Sequence, residues 1–245
     1  AKNHKTGVVF PDETDLKAAL PLIEAAHQPV LYIGQGVRGN FDAIKAFSEH
    51  FSMPVAASVL AKGIVPDLYE NFLGFAARVA TKPANEALAD ADLIVFVGSD
   101  FPFGRNFFNP SAKFIQVDID AAKFGRRHNV DQSVLGDGAT ALRRWVELGT
   151  ARPADAWLKA NQENIRNWHA WRKSFYNDES TPLRAKPICK ESKRRSEQDG
   201  GYVADVGKVT LNVIDHLEKK GEQQFTTSGG FATRGNGVPG GIAAQ

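Results

Sequence analysis

Sulfur is nearly absent from this sequence of 245 residues, which holds one cysteine, Cys189, and one methionine, Met53. A single thiol excludes a disulfide framework and a cysteine-based zinc site. Long apolar runs are missing as well. Stretches such as Leu93 to Val97 fall far short of the roughly 20 residues a membrane helix needs, so no membrane partner is expected. The opening Ala1-Lys2-Asn3-His4-Lys5 lacks the apolar centre of a signal peptide. Neither sign of charge dominates: 30 Lys and Arg stand against 28 Asp and Glu, a net charge of +2. That balance argues against a nucleic-acid binder and against an acidic solvating tail. The histidines His27, His50, His128, His169 and His216 are scattered, with His4 in the tail. Without HExxH or paired-His spacing, no metal site is expected. There is no repeat, no low-complexity tract and no GxSxG elbow, and Cys189 has no matched His, so no catalytic residue is assigned. Together these absences predict a soluble protein of a reducing compartment, the cytoplasm.

The residues that are present support a packed core: 42% are hydrophobic and 24% charged. The length lies between one domain and two, at roughly 100–200 residues each. Only Met53 is a methionine, none stands at the start, and Gly240-Gly241-Ile242-Ala243-Ala244-Gln245 reads as the beginning of a helix. The chain is therefore expected to be a piece of something longer. Helical spacing of apolar residues runs over 15–26, where Thr14 is the expected cap, and over 41–51, 83–91 and 139–148. Pro83 suits a first helical turn. Short continuous apolar runs predict strands buried on both faces at 30–33, 54–59, 93–97 and 114–117, with a weaker one at 131–135. Strand and helix in alternation predict an α/β fold, a doubly wound parallel sheet over roughly residues 12–150. Ligands of such sheets sit beyond the carboxyl ends of the strands. After a linker around Pro153, a polar helix is expected at 157–175, with Trp157, Ile165, Trp168 and Trp171 on its apolar side. A basic segment continues as far as Ser196, then a strand at 202–204.

The turn Gly34-Gln35-Gly36-Val37-Arg38-Gly39 fits GxGxxG between a strand and a helix. Amides at a helix N-terminus can hold a pyrophosphate there. The other reading is a tight turn whose glycines serve geometry alone. The nicotinamide fingerprint also wants an acid at the end of the second strand, and Pro54-Val55-Ala56-Ala57-Ser58 has none. Two further strand ends are polar: Val97-Gly98-Ser99-Asp100 and Val117-Asp118-Ile119-Asp120. Carboxylates placed there can accept ribose hydroxyls or an adenine amine. For Asp120 a helix cap is an equal reading. Leu135-Gly136-Asp137-Gly138 has the GDG of a thiamine-diphosphate motif, but the residues after it do not read as a βαβ unit, so a strand-end turn is expected. Lys190-Glu191-Ser192-Lys193-Arg194-Arg195 reads as a solvated helix face rather than a nucleic-acid patch.

Several segments together resemble the pyruvate oxidase family, phosphate-dependent enzymes of thiamine diphosphate and FAD. They are Ala61-Lys62-Gly63-Ile64-Val65-Pro66-Asp67, Leu73-Gly74, Arg78-Val79-Ala80-Thr81-Lys82-Pro83-Ala84-Asn85-Glu86, Phe96-Val97-Gly98-Ser99-Asp100-Phe101-Pro102-Phe103, Gln116-Val117-Asp118-Ile119-Asp120 and Gly125-Arg126-Arg127-His128. The resemblance implies that 1–180 is a central FAD-binding domain with its connecting helix. It implies that 181–245 is the truncated start of a thiamine-pyrophosphate-binding domain, through Asp205-Val206-Gly207 and Pro239-Gly240-Gly241. In the intact family pyruvate, phosphate and O₂ give acetyl phosphate, CO₂ and hydrogen peroxide. Thiamine diphosphate and Mg²⁺ would be held by domains this chain lacks, so the chain alone is expected to be inactive until completed by those domains or by homo-oligomer partners. The family's FAD contacts carry over to Gly34, Gly36 and Val37 on the pyrophosphate side and to Lys62 and Gly63 on the next loop. Gly74 and Arg78 would approach the phosphate and ring end, and Gly98, Ser99 and Phe103 the ribityl region. Asp118 and Asp120 would hold the adenosine, and Asp137 and Gly138 its adenine edge. Ser192, Arg195 and Gly201 depart from the family pattern and put the order of 181–245 in doubt. The alternatives are a non-catalytic FAD or nucleotide-binding module, or the central domain of a related thiamine enzyme such as acetolactate synthase.

Overall fold

The computed structural model describes residues 7–77, 81–100, 106–177, 180–182, 184–197, 199–219, 223–229 and 232–244. Its centre is a six-stranded, wholly parallel sheet. The strands are β1 (Pro29–Ile33), β2 (Val55–Ala57), β3 (Phe72–Phe75), β4 (Leu93–Val97), β5 (Lys113–Asp118) and β6 (Gln132–Leu135). They lie in the order β3-β2-β1-β4-β5-β6. The chain thus winds outward in one direction from β1, returns, and winds outward in the other from β4. This doubly wound order places a switch point between β1 and β4, the end of the sheet at which ligands of such folds sit.

Buried strands alternate their side chains between two cores. Leu31 and Ile33 of β1, with Val95 and Val97 of β4, face α1 (Glu13–Ala25), α2 (Phe41–His50) and α4 (Gly138–Leu148). Leu16, Ile23, Phe47 and Trp145 from those helices fill that layer. Val30, Tyr32, Ile94 and Phe96 face the other way, onto α3 (Lys82–Asp90) and α5 (Ala156–Lys173) through Ala84, Leu88 and Ile165. Trp145 is fully buried and its indole N–H donates to the Leu16 carbonyl at 2.9 Å, so the largest side chain of the core leaves no stranded donor.

Local expectations change in four places. The first helix starts earlier than a Thr14 cap implies: Asp12 is the cap and accepts the Thr14 amide at 2.7 Å. The second strand stops at Ala57, because 59–61 closes into a 3₁₀ turn. A strand that periodicity did not predict, β3, forms the edge of the sheet. On α5, Trp171 is half exposed and packs at a tilt against Trp168, with ring centroids 4.9 Å apart, instead of entering the core.

Beyond α5 come α6 (Ala185–Arg195), β7 (Tyr202–Ala204), α7 (Lys208–His216), β8 (Phe225–Thr227) and α8 (Gly237–Ala243), with β7 and β8 paired in parallel. Within the basic run on α6, Glu191 pairs with Arg194 and Arg195. Ala204, Ile214 and Phe225 join the main core.

Candidate functional site: a crevice at the strand ends

Register brings the carboxyl ends of β1, β4 and β5 into one row: Ile33 opposes Val97, and Val97 opposes Val117. The next residues along each strand, Gly34, Gly98 and Asp118, are therefore neighbours. The row is stitched by backbone bonds. The Gly34 amide donates to the Val97 carbonyl and the Gly98 amide to the Val117 carbonyl, each at 2.9 Å. The Gly36 amide likewise donates to the Gly98 carbonyl at 2.9 Å.

These bonds pull the two turns so close that only glycine fits. A Cβ on Gly34 would lie 2.3 Å from the Gly98 oxygen, and one on Gly36 would lie 2.7 Å from the Gly98 Cα. Gly98 itself has φ +62°, a conformation other residues adopt at a cost. Packing thus accounts for Gly34 and Gly36 of the GxGxxG turn, and their amides are engaged within the chain. What the glycines give the crevice is a floor of bare backbone. Val37 is fully buried beneath it. Gly138, at the start of α4, packs against Val97 and Val37, and Ser99 is buried beside Gly98.

On the far side of the row Asp118 is half-buried. Burial pushes its carboxyl above the usual carboxylate range, and the Asp120 amide and Lys123 oppose that rise. Its Oδ1 accepts the Asp120 amide at 3.0 Å, which leaves acceptor capacity for a ligand hydroxyl. Asp120 caps the 3₁₀ turn 121–123, accepting the Ala122 amide at 3.0 Å. Asp137 caps α4, taking the Thr140 amide and hydroxyl at 2.8 Å each. The cap reading of Asp120 and the turn reading of the GDG stretch therefore describe what these groups do in the fold.

Other candidates point elsewhere. Lys62 is completely buried, held by Asp67 at 3.1 Å and donating to the Ile214 carbonyl at 3.1 Å. Gly63 packs against Lys219 and Gln223, and Gly74 against Thr81. Arg78 and Phe103 lie outside the described residues. The loop that carries Lys62 still reaches the crevice, because the Leu60 carbonyl accepts from Gln35 at 3.2 Å and from Arg38 at 3.1 Å. Sequence reasoning also missed the partners of Asp100. Lys123, Arg126 and Arg127 converge on its carboxylate at 3.1, 3.3 and 3.0 Å. The basic stretch 123–127, one turn past a strand end, was the signal that could have found them.

The order of the sheet and the row of strand ends at its switch point define a doubly wound α/β domain. Sequence comparison places it more closely. The profile of the thiamine pyrophosphate enzyme central domain matches residues 16–145. The chain belongs to that family. It is 38% identical to the pyruvate oxidase of Lactiplantibacillus plantarum over 95% of this chain and 40% of that enzyme. It is 30% identical to the acetolactate synthase large subunit of Lactococcus lactis, over 95% of this chain and 41% of the relative. The match to the acetolactate synthase large subunit of Parasynechococcus marenigrum is also 30%, over 96% and 39%. The chain thus spans about 40% of the length of the curated relatives it matches. No helix among the described residues is long and apolar enough to cross a membrane.

Proposed function

We propose that this chain is the FAD-carrying part of a thiamine-diphosphate-dependent pyruvate oxidase. Residues 1–180 would form the flavin unit with its connecting helix, and 181–245 would open the domain that binds thiamine diphosphate and Mg²⁺. The observation that carries the flavin assignment is the row of Gly34, Gly98 and Asp118 across the switch point. A half-buried carboxylate with a spare acceptor fits a ribose diol, and the bare backbone beside it lets a dinucleotide lie flat against the strand ends. When bound, FAD supplies a two-electron acceptor that O₂ can reoxidise. The chain's own part is to bind and orient. Asp118 accepts from the ribose, Gly36 and Gly98 keep the floor clear of side chains, and α4, capped by Asp137, presents its first turn beneath the crevice.

Identity of 38% to a pyruvate oxidase against 30% to acetolactate synthases favours the oxidase. The synthase reading predicts the same crevice but no acetyl phosphate from the completed enzyme. The flavin assignment is tested by mixing the purified chain with FAD and passing it through gel filtration. Absorbance near about 450 nm, the flavin's own band, should travel with the protein. A colourless protein peak would overturn the assignment. The division of labour predicts that the chain alone, given pyruvate, phosphate, FAD, thiamine diphosphate and Mg²⁺, makes no acetyl phosphate. Turnover by the lone chain would contradict it.

A further inference from the structure

We propose that Asp100 is a positioning residue for the adenosine end of the crevice, setting affinity for adenine nucleotides through the three cations it gathers; this rests on the flavin reading of the site. The segment 118–128 continues from β5 and walls the crevice beside Asp118. It is pinned from several directions. Asp118 and Asp120 each take a backbone amide of the turn. Gln116, buried on β5, donates to the Lys123 carbonyl at 3.0 Å and accepts the Gly125 amide at 3.2 Å. The His128 ring stacks on Phe114 with centroids 4.7 Å apart.

What these backbone bonds leave unfixed are the side chains of Lys123, Arg126 and Arg127. Asp100 gathers them. The carboxylate sits just beyond β4, the strand beside β5, and takes all three cations at 3.0–3.3 Å. It therefore ties the wall of the crevice to the neighbouring strand end. Three cations on one acid leave a surplus of positive charge, and without the acid they repel one another. Lys123 is the link to the ligand. Its charge opposes the effect of burial on Asp118 and so helps keep that acid ionised for a ribose. Asp100 acts through Lys123 and the turn, without touching the nucleotide.

The test compares wild type, Asp100→Asn and Asp100→Glu by equilibrium titration with FAD and, separately, with ADP, which carries the adenosine half alone. Asp100→Asn keeps the size of the side chain and removes its charge. It is expected to weaken FAD and ADP alike, by about tenfold, the scale of losing one charge-assisted contact's worth of order. Asp100→Glu, which restores the charge, is expected to recover most of the affinity. A general structural role would move both variants together. Wild-type affinity for FAD in Asp100→Asn overturns the proposal. A loss for FAD with none for ADP also overturns it, because the effect would then lie away from the adenosine. A wild-type chain that binds neither ligand overturns the flavin reading itself and this proposal with it, a result that needs no variant to recognise.

Discussion

Asp100 gathers three cations at the surface, and Asp67 holds one at nearly the same distance inside the protein. The Asp100 side chain is 28% exposed, and its three partners range from 29% to 45%. Asp67 and Lys62 are 7% and 1% exposed at a contact of 3.1 Å. At the rim, water screens each pair, so each stabilises the fold by about 0–1 kcal/mol and its value lies in where it holds the turn. In the interior, desolvation governs. Burial pulls the Lys62 ammonium below the usual lysine range, and Asp67 holds it back up. Asp67 also ties down a second segment: its Oδ2 accepts the Lys219 amide at 2.6 Å, and its own amide donates to the Lys219 carbonyl at 3.0 Å. Equal geometry thus serves two ends, holding a turn at the surface and cohesion in the core.

Four sets of substitutions would break or sharpen this contrast, from the largest effect down. Asp67→Ala strips a buried cation of its partner and should cost about 3–5 kcal/mol of stability in urea unfolding. The double change Lys62→Met with Asp67→Leu should cost far less, because no charge is then left unpaired. A smaller penalty, about 1–3 kcal/mol, is expected for Gly34→Ala, whose methyl meets the Gly98 carbonyl. Thermal unfolding reads it, and an unchanged midpoint would show that the β1 and β4 turns can part freely.

Next comes pH. Burial holds His216 neutral, with its pKa lowered from 6.5 to about 4, and its Nδ1 is buried without a hydrogen-bond partner among the described residues. The unfolded chain takes up a proton below 6.5 that the folded chain refuses. Its contribution is therefore complete above 6.5, falls away as the pH drops from 6.5 through 4, and is flat below. His216→Phe should flatten that part of the stability profile. The smallest effect is that of Asp100→Asn on unfolding, under about 1 kcal/mol. A loss as large as that of Asp67→Ala would erase the distinction between rim and interior.

Much of the sheet was legible because its strands are short, continuous apolar runs: β1, β4 and β5 fall within a residue or so of where Val30-Leu31-Tyr32-Ile33, Leu93 to Val97 and Phe114 to Val117 put them. Phe72-Leu73-Gly74-Phe75 escaped because a glycine interrupts it and its neighbours on either side lack strand character. It becomes β3 only because β2 is there to pair with it. The row of strand ends at Gly34, Gly98 and Asp118 was legible because each directly follows an apolar strand run. The setting of Lys62 was not. That side chain is held by a carbonyl 152 residues away, and no local pattern announces such a partner. The cations of Asp100 lie 23 to 27 residues beyond it, and only the basic stretch that carries them hints at the pairing.

The central claim is that the acid at the end of β5 holds the ribose of a bound FAD. Comparing FAD titrations of wild type and Asp118→Asn tests it most directly. The amide keeps an oxygen for the Asp120 N–H but loses the charge. A hydrogen bond to a charged group is worth about 1.5–3 kcal/mol, so affinity should fall by roughly 10- to 100-fold while the unfolding midpoint stays near wild type. Equal affinity in the two proteins would contradict the account and move the flavin away from this row of strand ends.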